Sequence, residues 1–343
     1  MTRFFSLFLV ITVFIGGLST FYFYHSLTEK KKVNLELKVK KNETVKSVIK
    51  KLKETKVIEN EIPLYIYTKF SNAEIKAGCY KLEGELSPLE ILKELSTGSP
   101  CLVKITIKEG DDIFSIDKLL SQKGFCKKGE VLKLSRDSAF LKNLKIPFLE
   151  GFIFPDTYYV NEDASCKEII KLAVENFKRK TKNIFDNYEP LKLVKDALGK
   201  INKEKILIVA SIVEKETSLE EEKPIIASVI YNRLKRKMKL QCDPTVLYAY
   251  KMKGVEKDKL HKGDTNIASP YNTYYIKGLP KTPICNPSLS SIKAAMYPKE
   301  TPYLYFVAKC KGHIFSKSYN QHLKAIRKVR NAREAKKETL CNR

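Results

Sequence analysis

Residues 206–217, ILIVASIVEKET, carry two glutamates at the end of a run that is otherwise almost wholly apolar. At 100° per residue Glu216 falls beside Val209 and Ile212 on the buried side, Lys215 points elsewhere, and Glu214 lies over Leu207 and Ala210. A carboxylate drawn into a core loses hydration. Its pKa then rises toward the value that a general acid needs at neutral pH. Two plainer outcomes are open to the same residue: capping a neighbouring loop, or fraying into water.

Other polar residues gather downstream. Asn232 and Arg233 end an apolar stripe of Ile226, Val229, Ile230 and Leu234, and Gln241, Cys242 and Asp243 follow at once. The segment SPYNTYYIKGLP (269–280) is rich in tyrosines and turns, a loop able to stack on sugar rings and hydrogen-bond hydroxyls, although ordinary packing explains any one tyrosine equally. We expect Asn232, Gln241, Asp243, Tyr271 and Asn272 to bind substrate. Asp243 and Asp156 are the carboxylates that could join Glu216, yet Asp243-Pro244 also suits a turn and Asp156 a local cap. There is no phosphate-binding loop, dinucleotide fingerprint, serine-nucleophile elbow or zinc motif. Four scattered histidines offer no metal site, so neither metal nor cofactor is expected, and His313 reads as a core residue as readily as a catalytic one.

These residues need an α+β frame. From residue 146 onward the pattern predicts GFIFPDTYYV, an amphipathic helix over 166–185, the apolar helix over 203–217, a helix through 291–295, a hairpin of 303–308 with 313–316, and a basic terminal helix from His322. Upstream, two segments look like copies at an offset of 68 residues. Leu37 to Val48 aligns with Ile105 to Ile116, and Leu52 with Leu120; each copy reads as a strand, a polar turn and a helix, with a chance likeness as the alternative. Ser87-Pro88-Leu89-Glu90 opens a further helix with a capping box. A small α/β module therefore fits residues 31–100, followed by a second strand–helix repeat and connection over 101–145.

Phe4 to Tyr24 is uncharged and long enough to span a bilayer as a helix; no small-residue cleavage site follows, so an uncleaved single-pass anchor over residues 1–30 is expected. Lys30, Lys31 and Lys32 oppose Arg3 across it, and the charge rule on its own argues against export of the large domain. The net charge of +25, from 64 Lys+Arg against 39 Asp+Glu, favours a polyanionic neighbour: nucleic acid, an anionic membrane or an anionic envelope polymer. No nucleic-acid recognition motif accompanies it. Eight cysteines form no spaced framework, and buried free thiols explain them at least as well as pairing. Residues 331–343 read as a solvated basic tail.

Six ordered motifs resemble the membrane-anchored endolytic murein transglycosylases, the YceG-like or MltG family: GFIFPDTYY (151–159), ASIVEKET (210–217), YNRL (231–234) with LQCDPTVLYAY (240–250), SPYNTYYIKGLP (269–280), NPSLSSIKAA (286–295), and YLYFVA with GHIFS (303–316). The resemblance implies a LysM-like region at 31–100 and a catalytic domain at 146–330. It further implies a bacterial lyase of the inner membrane, amino terminus in the cytoplasm and catalytic domain outside. Such an enzyme cuts nascent peptidoglycan between MurNAc and GlcNAc, leaves 1,6-anhydroMurNAc ends, terminates strand elongation and works beside peptidoglycan synthases. The family's catalytic glutamate matches Glu216. Cys79 and Cys242 stand where threonine is more usual, which weakens a disulfide reading. The competing expectation is a non-catalytic peptidoglycan-binding scaffold.

Overall fold

The computed structural model describes residues 2–309 and 311–335. In chain order the elements are α1 (Thr2–Thr28), β1 (Lys31–Val39), α2 (Val45–Glu54), α3 (Glu61–Ser71), β2 (Gly78–Leu86), α4 (Pro88–Thr97), β3 (Leu102–Ile107), α5 (Ile113–Gln122), α6 (Glu130–Leu134), α7 (Ser138–Asn143), β4 (Asp156–Asn161), α8 (Cys166–Asp186), α9 (Lys192–Leu198), α10 (Lys203–Glu216), α11 (Lys223–Lys235), α12 (Asp243–Met252), α13 (Leu289–Met296), β5 (Tyr305–Ala308), β6 (His313–Ser316) and α14 (Tyr319–Ala335). This is a mixed α+β chain. The last residues of the basic tail, 336–343, lie outside the described residues.

Two compact units divide the chain, residues 1–103 and 104–343. In the first, β1 and β2 pair antiparallel from Lys31 opposite Leu86 to Val39 opposite Gly78. Val33, Leu37 and Val39 alternate inward and join Val48, Ile49 and Leu52 of α2, Leu64 of α3 and Ile91, Leu92 and Leu95 of α4 in one core. The capping box read at Ser87 and Glu90 is present at the start of α4. Leu27, at the foot of α1, belongs to that core as well. Among the described residues α1 supplies the one helix long and apolar enough to cross a membrane.

The duplication at an offset of 68 holds at the level of hydrogen bonds. Asn42 and Gly110 both take a positive φ; Glu43 and Asp111 each accept the amide three residues before them, from Lys40 at 3.0 Å and Lys108 at 2.8 Å. Thr44 and Asp112 cap the two helices through the amides of Ser47 and Ser115. At the far ends Lys56 and Gly124 again share a positive φ, and Val57 and Phe125 each donate to the carbonyl of Leu52 or Leu120 at 3.0 Å.

The second unit is organised around α10, whose residues from Ile206 to Val213 are all buried. A helix apolar on every side has to be surrounded. It packs on α13 and α11, and α11 in turn on α9. β3 pairs with β4, and β5 pairs antiparallel with β6 as a hairpin against which α14 lies.

The cysteine expectation needs correction. Cys79 is bonded to Cys101 and Cys126 to Cys166, while Cys242 and Cys285 are free and buried. The fold brings the paired Cα atoms to 4.8 and 4.9 Å across separations of 22 and 40 residues, a proximity that spacing along the chain does not announce. Cys310 and Cys341 lie outside the described residues.

Candidate active site

Glu216 is the last residue of α10, and Thr217 breaks the helix by turning extended. The Thr217 hydroxyl accepts the Leu219 amide at 3.1 Å and donates to Glu222 at 3.3 Å. Glu222 also accepts the backbone amide of His313 at 2.7 Å and faces its ring Nδ1 at 2.6 Å. Burial works to raise the Glu222 carboxyl, and the two His313 contacts outweigh it, leaving the group below its usual range. The chain leaving α10 is therefore fixed by a polar anchor rather than frayed, and His313 is part of that anchor.

The two glutamates of the acidic pair have different fates. Glu214 accepts both the amide (2.9 Å) and the hydroxyl of Ser288, the residue that caps α13, and the buried ammonium of Lys223 lies 3.9 Å from it. That carboxylate is spent on structure. Glu216 stays partly open to solvent, with Cys242, Asp243 and Arg233 as its neighbours. Loss of hydration, then the Asp243 charge, pushes its carboxyl up to about 7; the Cys242 thiol and the Arg233 guanidinium pull the other way without prevailing. A carboxyl so poised can give a proton and take one back near neutrality.

The neighbours are held by the tyrosine-rich loop. The Gln241 amide donates to the Thr273 carbonyl at 3.2 Å, the Cys242 amide to the Thr273 hydroxyl at 2.9 Å, and the Tyr274 hydroxyl to Asp243 at 2.6 Å. Gln241 and Asp243 are exposed on either side of buried Cys242, and it is Asp243 whose charge acts on Glu216. Asn272 is fully buried: its amide protons go to the carbonyls of Thr265 and Ile267, its oxygen to the amide of Tyr274. No amide proton is left for a sugar. Tyr271 is buried too, with its ring 5.0 Å from that of Tyr248 and its hydroxyl 3.1 Å from that of Thr282. Asn232 donates to the carbonyls of Thr301 and Tyr303, tying α11 to the strand entry, while buried Arg233 holds the carbonyls of Leu304 and Leu240. Asp156 is bound to Asn176 of α8 at 2.9 Å, so Asp243 is the acid whose charge bears on Glu216.

A family model described as the YceG-like family matches residues 37–328. The chain belongs to this family. A relative named endolytic murein transglycosylase from Bacillus subtilis is 33% identical over 325 residues, covering 89% of this chain and 87% of its own length. One of the same name from Streptococcus pneumoniae is 30% identical over 75% of this chain, which spans about half (51%) of that longer protein. The crystal structure of a YceG-like protein from Listeria monocytogenes, 33% identical, superposes with a TM-score of 0.57 over 86% of this chain and 99% of its own.

Within this YceG-like chain a second acid escaped the reading of the sequence. Glu150 is buried and accepts the Ile113 amide (3.1 Å), the Tyr248 hydroxyl (2.9 Å) and the Asn286 amide group (3.0 Å). Burial first, then the neighbouring Asp112 charge, pushes its carboxyl up to about 8 against the Ile113 and Tyr248 donors and Lys251. Asn286 also receives the amides of Gly151 and Ile153. Gly151 has no substitute there: its φ is +83° and a Cβ would stand 2.6 Å from Pro283 Cγ. The network fastens the GFIFPD segment, α5 and α12 to residue 286. The signal that drew attention to Glu216, an acid set against an apolar run, is present in IPFLEGFIF (146–154) as well.

Proposed function

We propose that this protein is a membrane-anchored peptidoglycan lytic transglycosylase with Glu216 as its single acid and base. The observation that carries the reading is the contrast within the acidic pair: Glu214 is bonded into the frame, while Glu216 is partly open, desolvated and raised to about 7. Protonated Glu216 gives its proton to the glycosidic oxygen as the bond to C1 of MurNAc breaks. The resulting carboxylate then takes the proton of the MurNAc 6-hydroxyl as that oxygen bonds to C1. The glutamic acid is regenerated, water is not consumed, and the product ends in 1,6-anhydroMurNAc. In this reading Gln241 and Asp243 contact the substrate, and Asn232, Tyr271 and Asn272 act from behind by holding the loops that present them.

The relatives named as murein transglycosylases support the substrate. Residues 31–100 would serve as the LysM-like module and 146–330 as the catalytic part, with the repeat of 101–145 between them. The apolar α1 supports a single-pass anchor, and in this reading the membrane it crosses is the cytoplasmic one. The two disulfides fit an exterior, oxidising compartment, and they weigh against the charge count that favoured retention inside. Peptidoglycan synthases are the proposed protein partners.

Two measurements test this. Glu216→Gln should lower strand cleavage by about 10²–10⁴-fold with unfolding unchanged, the range expected for loss of a proton-transfer group. Mass analysis of wild-type digests should find anhydro ends; reducing, hydrated ends would make the protein a muramidase, and strand binding with no product would make it a scaffold. Because the acid must begin protonated, a carboxyl raised to about 7 keeps cleavage high below that pH and loses it as pH rises through about 7.

A further inference from the structure

Helix α3 has two apolar faces. Leu64 and Thr68 point into the core of the first unit, and Ile62, Ile66 and Phe70, two residues out of phase and spaced by four, run along the opposite side. That outer row is bare: Ile62 is 59% exposed and Phe70 86%. Outside α1, the large hydrophobic residues exposed on the first unit are Ile62, Ile66, Tyr67 and Phe70, all on α3, and Leu102. Scattered exposed apolar residues need no explanation, but a row collected on one helix does.

The surroundings of α3 say what covers it. The helix touches α1, the candidate membrane span. Phe23 and Leu27 at the end of that span pack into the same core as Leu64, Val57 and Ile58. Tyr22 and His25 share a small cleft with Val57, Ile58 and Asn60, and Asn60 is the residue that caps α3 through the Ile62 amide at 3.0 Å. Helix α3 therefore begins level with Tyr22, in the aromatic segment that closes the apolar run, where a span meets the headgroups. Exposed Lys69 beside Phe70 suits lipid phosphate.

From these positions we infer that α3 is an interfacial helix whose Ile62–Ile66–Phe70 face lies in the lipid surface, so that the first unit grips the bilayer at two places. The span prevents escape; the second contact stops the unit from swivelling about it. This rests on the reading of α1 as an anchor.

Tryptophan is absent from the chain, so a single introduced one reports its own surroundings. The full chain in nanodiscs, with and without brominated acyl chains, is compared as Phe70→Trp, Leu102→Trp and Phe14→Trp. A helix seated about 5–10 Å into the headgroup boundary should give Phe70→Trp a blue-shifted emission that loses more than about half its intensity to bromolipid, with Leu102→Trp unaffected. Water-like, unquenched emission from Phe70→Trp overturns the inference. So does a blue shift without quenching, because a protein, including a second copy of this chain, would then cover the face. Absence of quenching for Phe14→Trp would instead remove the anchor itself, a separate failure.

Discussion

The two copies of the strand–turn–helix motif use one set of local bonds and have opposite surroundings. In the first, Asn42 and the capping Thr44 face outward, Glu43 is held within its own motif by Lys51 at 2.6 Å, and Thr44 does no more than hold its helix. In the second, the matching turn is built into the larger unit: Gly110 donates to the Asn286 carbonyl and Asp111 accepts the Asn286 amide. Asp112 meets Lys251 at 2.6 Å, and Lys215, between the two glutamates, reaches the Gly110 carbonyl at 3.3 Å. Equivalent sequence positions thus give equivalent backbone. Whether such a turn is merely a turn or a strut behind Glu216 depends on what is packed against it.

Breaking each copy at its staple should produce the largest effects. Removing Cys126–Cys166 as a double alanine variant should cost about 4 kcal/mol, and Cys79–Cys101 about 3.5 kcal/mol, following the loop each closes. Denaturant unfolding with hydrogen exchange read in each unit should place each loss in the unit carrying the bridge; equal losses in both would mean that the copies do not unfold separately.

The caps sharpen the contrast. Thr44→Ala should cost about 1 kcal/mol, the usual worth of a cap. Asp112→Ala should cost about 3 kcal/mol, because a partly buried Lys251 then loses its partner. It should also lower cleavage, which Thr44→Ala should leave alone. Comparable costs for both would mean that Lys251 finds solvent easily and that the second turn is no strut.

The smallest effect tests the local code itself. Gly124→Ala should destabilise by about 1 kcal/mol, with no atom near enough to clash, because alanine resists the left-handed backbone. Lys56→Gly, at the equivalent place, should stabilise by about 0.5 kcal/mol once the entropy of the freer unfolded chain is counted. Opposite signs at two aligned positions would be hard to obtain unless the copies share their geometry.

Much of the frame was legible in the chain. The alternation in β1, the capping box at Ser87, the all-round apolar α10 and the hairpin of β5 and β6 each depend on neighbours a few residues away, and each is present. The polar residues were harder. Asn232 and Asn272 look from the sequence like groups free to meet a sugar, but their amides are taken by carbonyls that the fold supplies. Tyrosine-rich loops read alike whether their rings face substrate or, as with Tyr271 and Tyr248, one another.

By itself the sequence determined where helices start, which stripes are buried, that two segments are alike at an offset of 68, and that an acid stands at the end of a core helix. Those properties follow from backbone geometry and hydrophobicity over short distances. Only the tertiary structure decided which acid is bound into the frame and which stays partly open. Glu214 is claimed by Ser288, 74 residues away, and Glu216 is raised by desolvation and by Asp243. It also decided which cysteines meet and that Glu150 is sealed in. Partner choice and loss of water depend on every segment that arrives around a group, so a side chain's titration and availability are properties of the packed molecule.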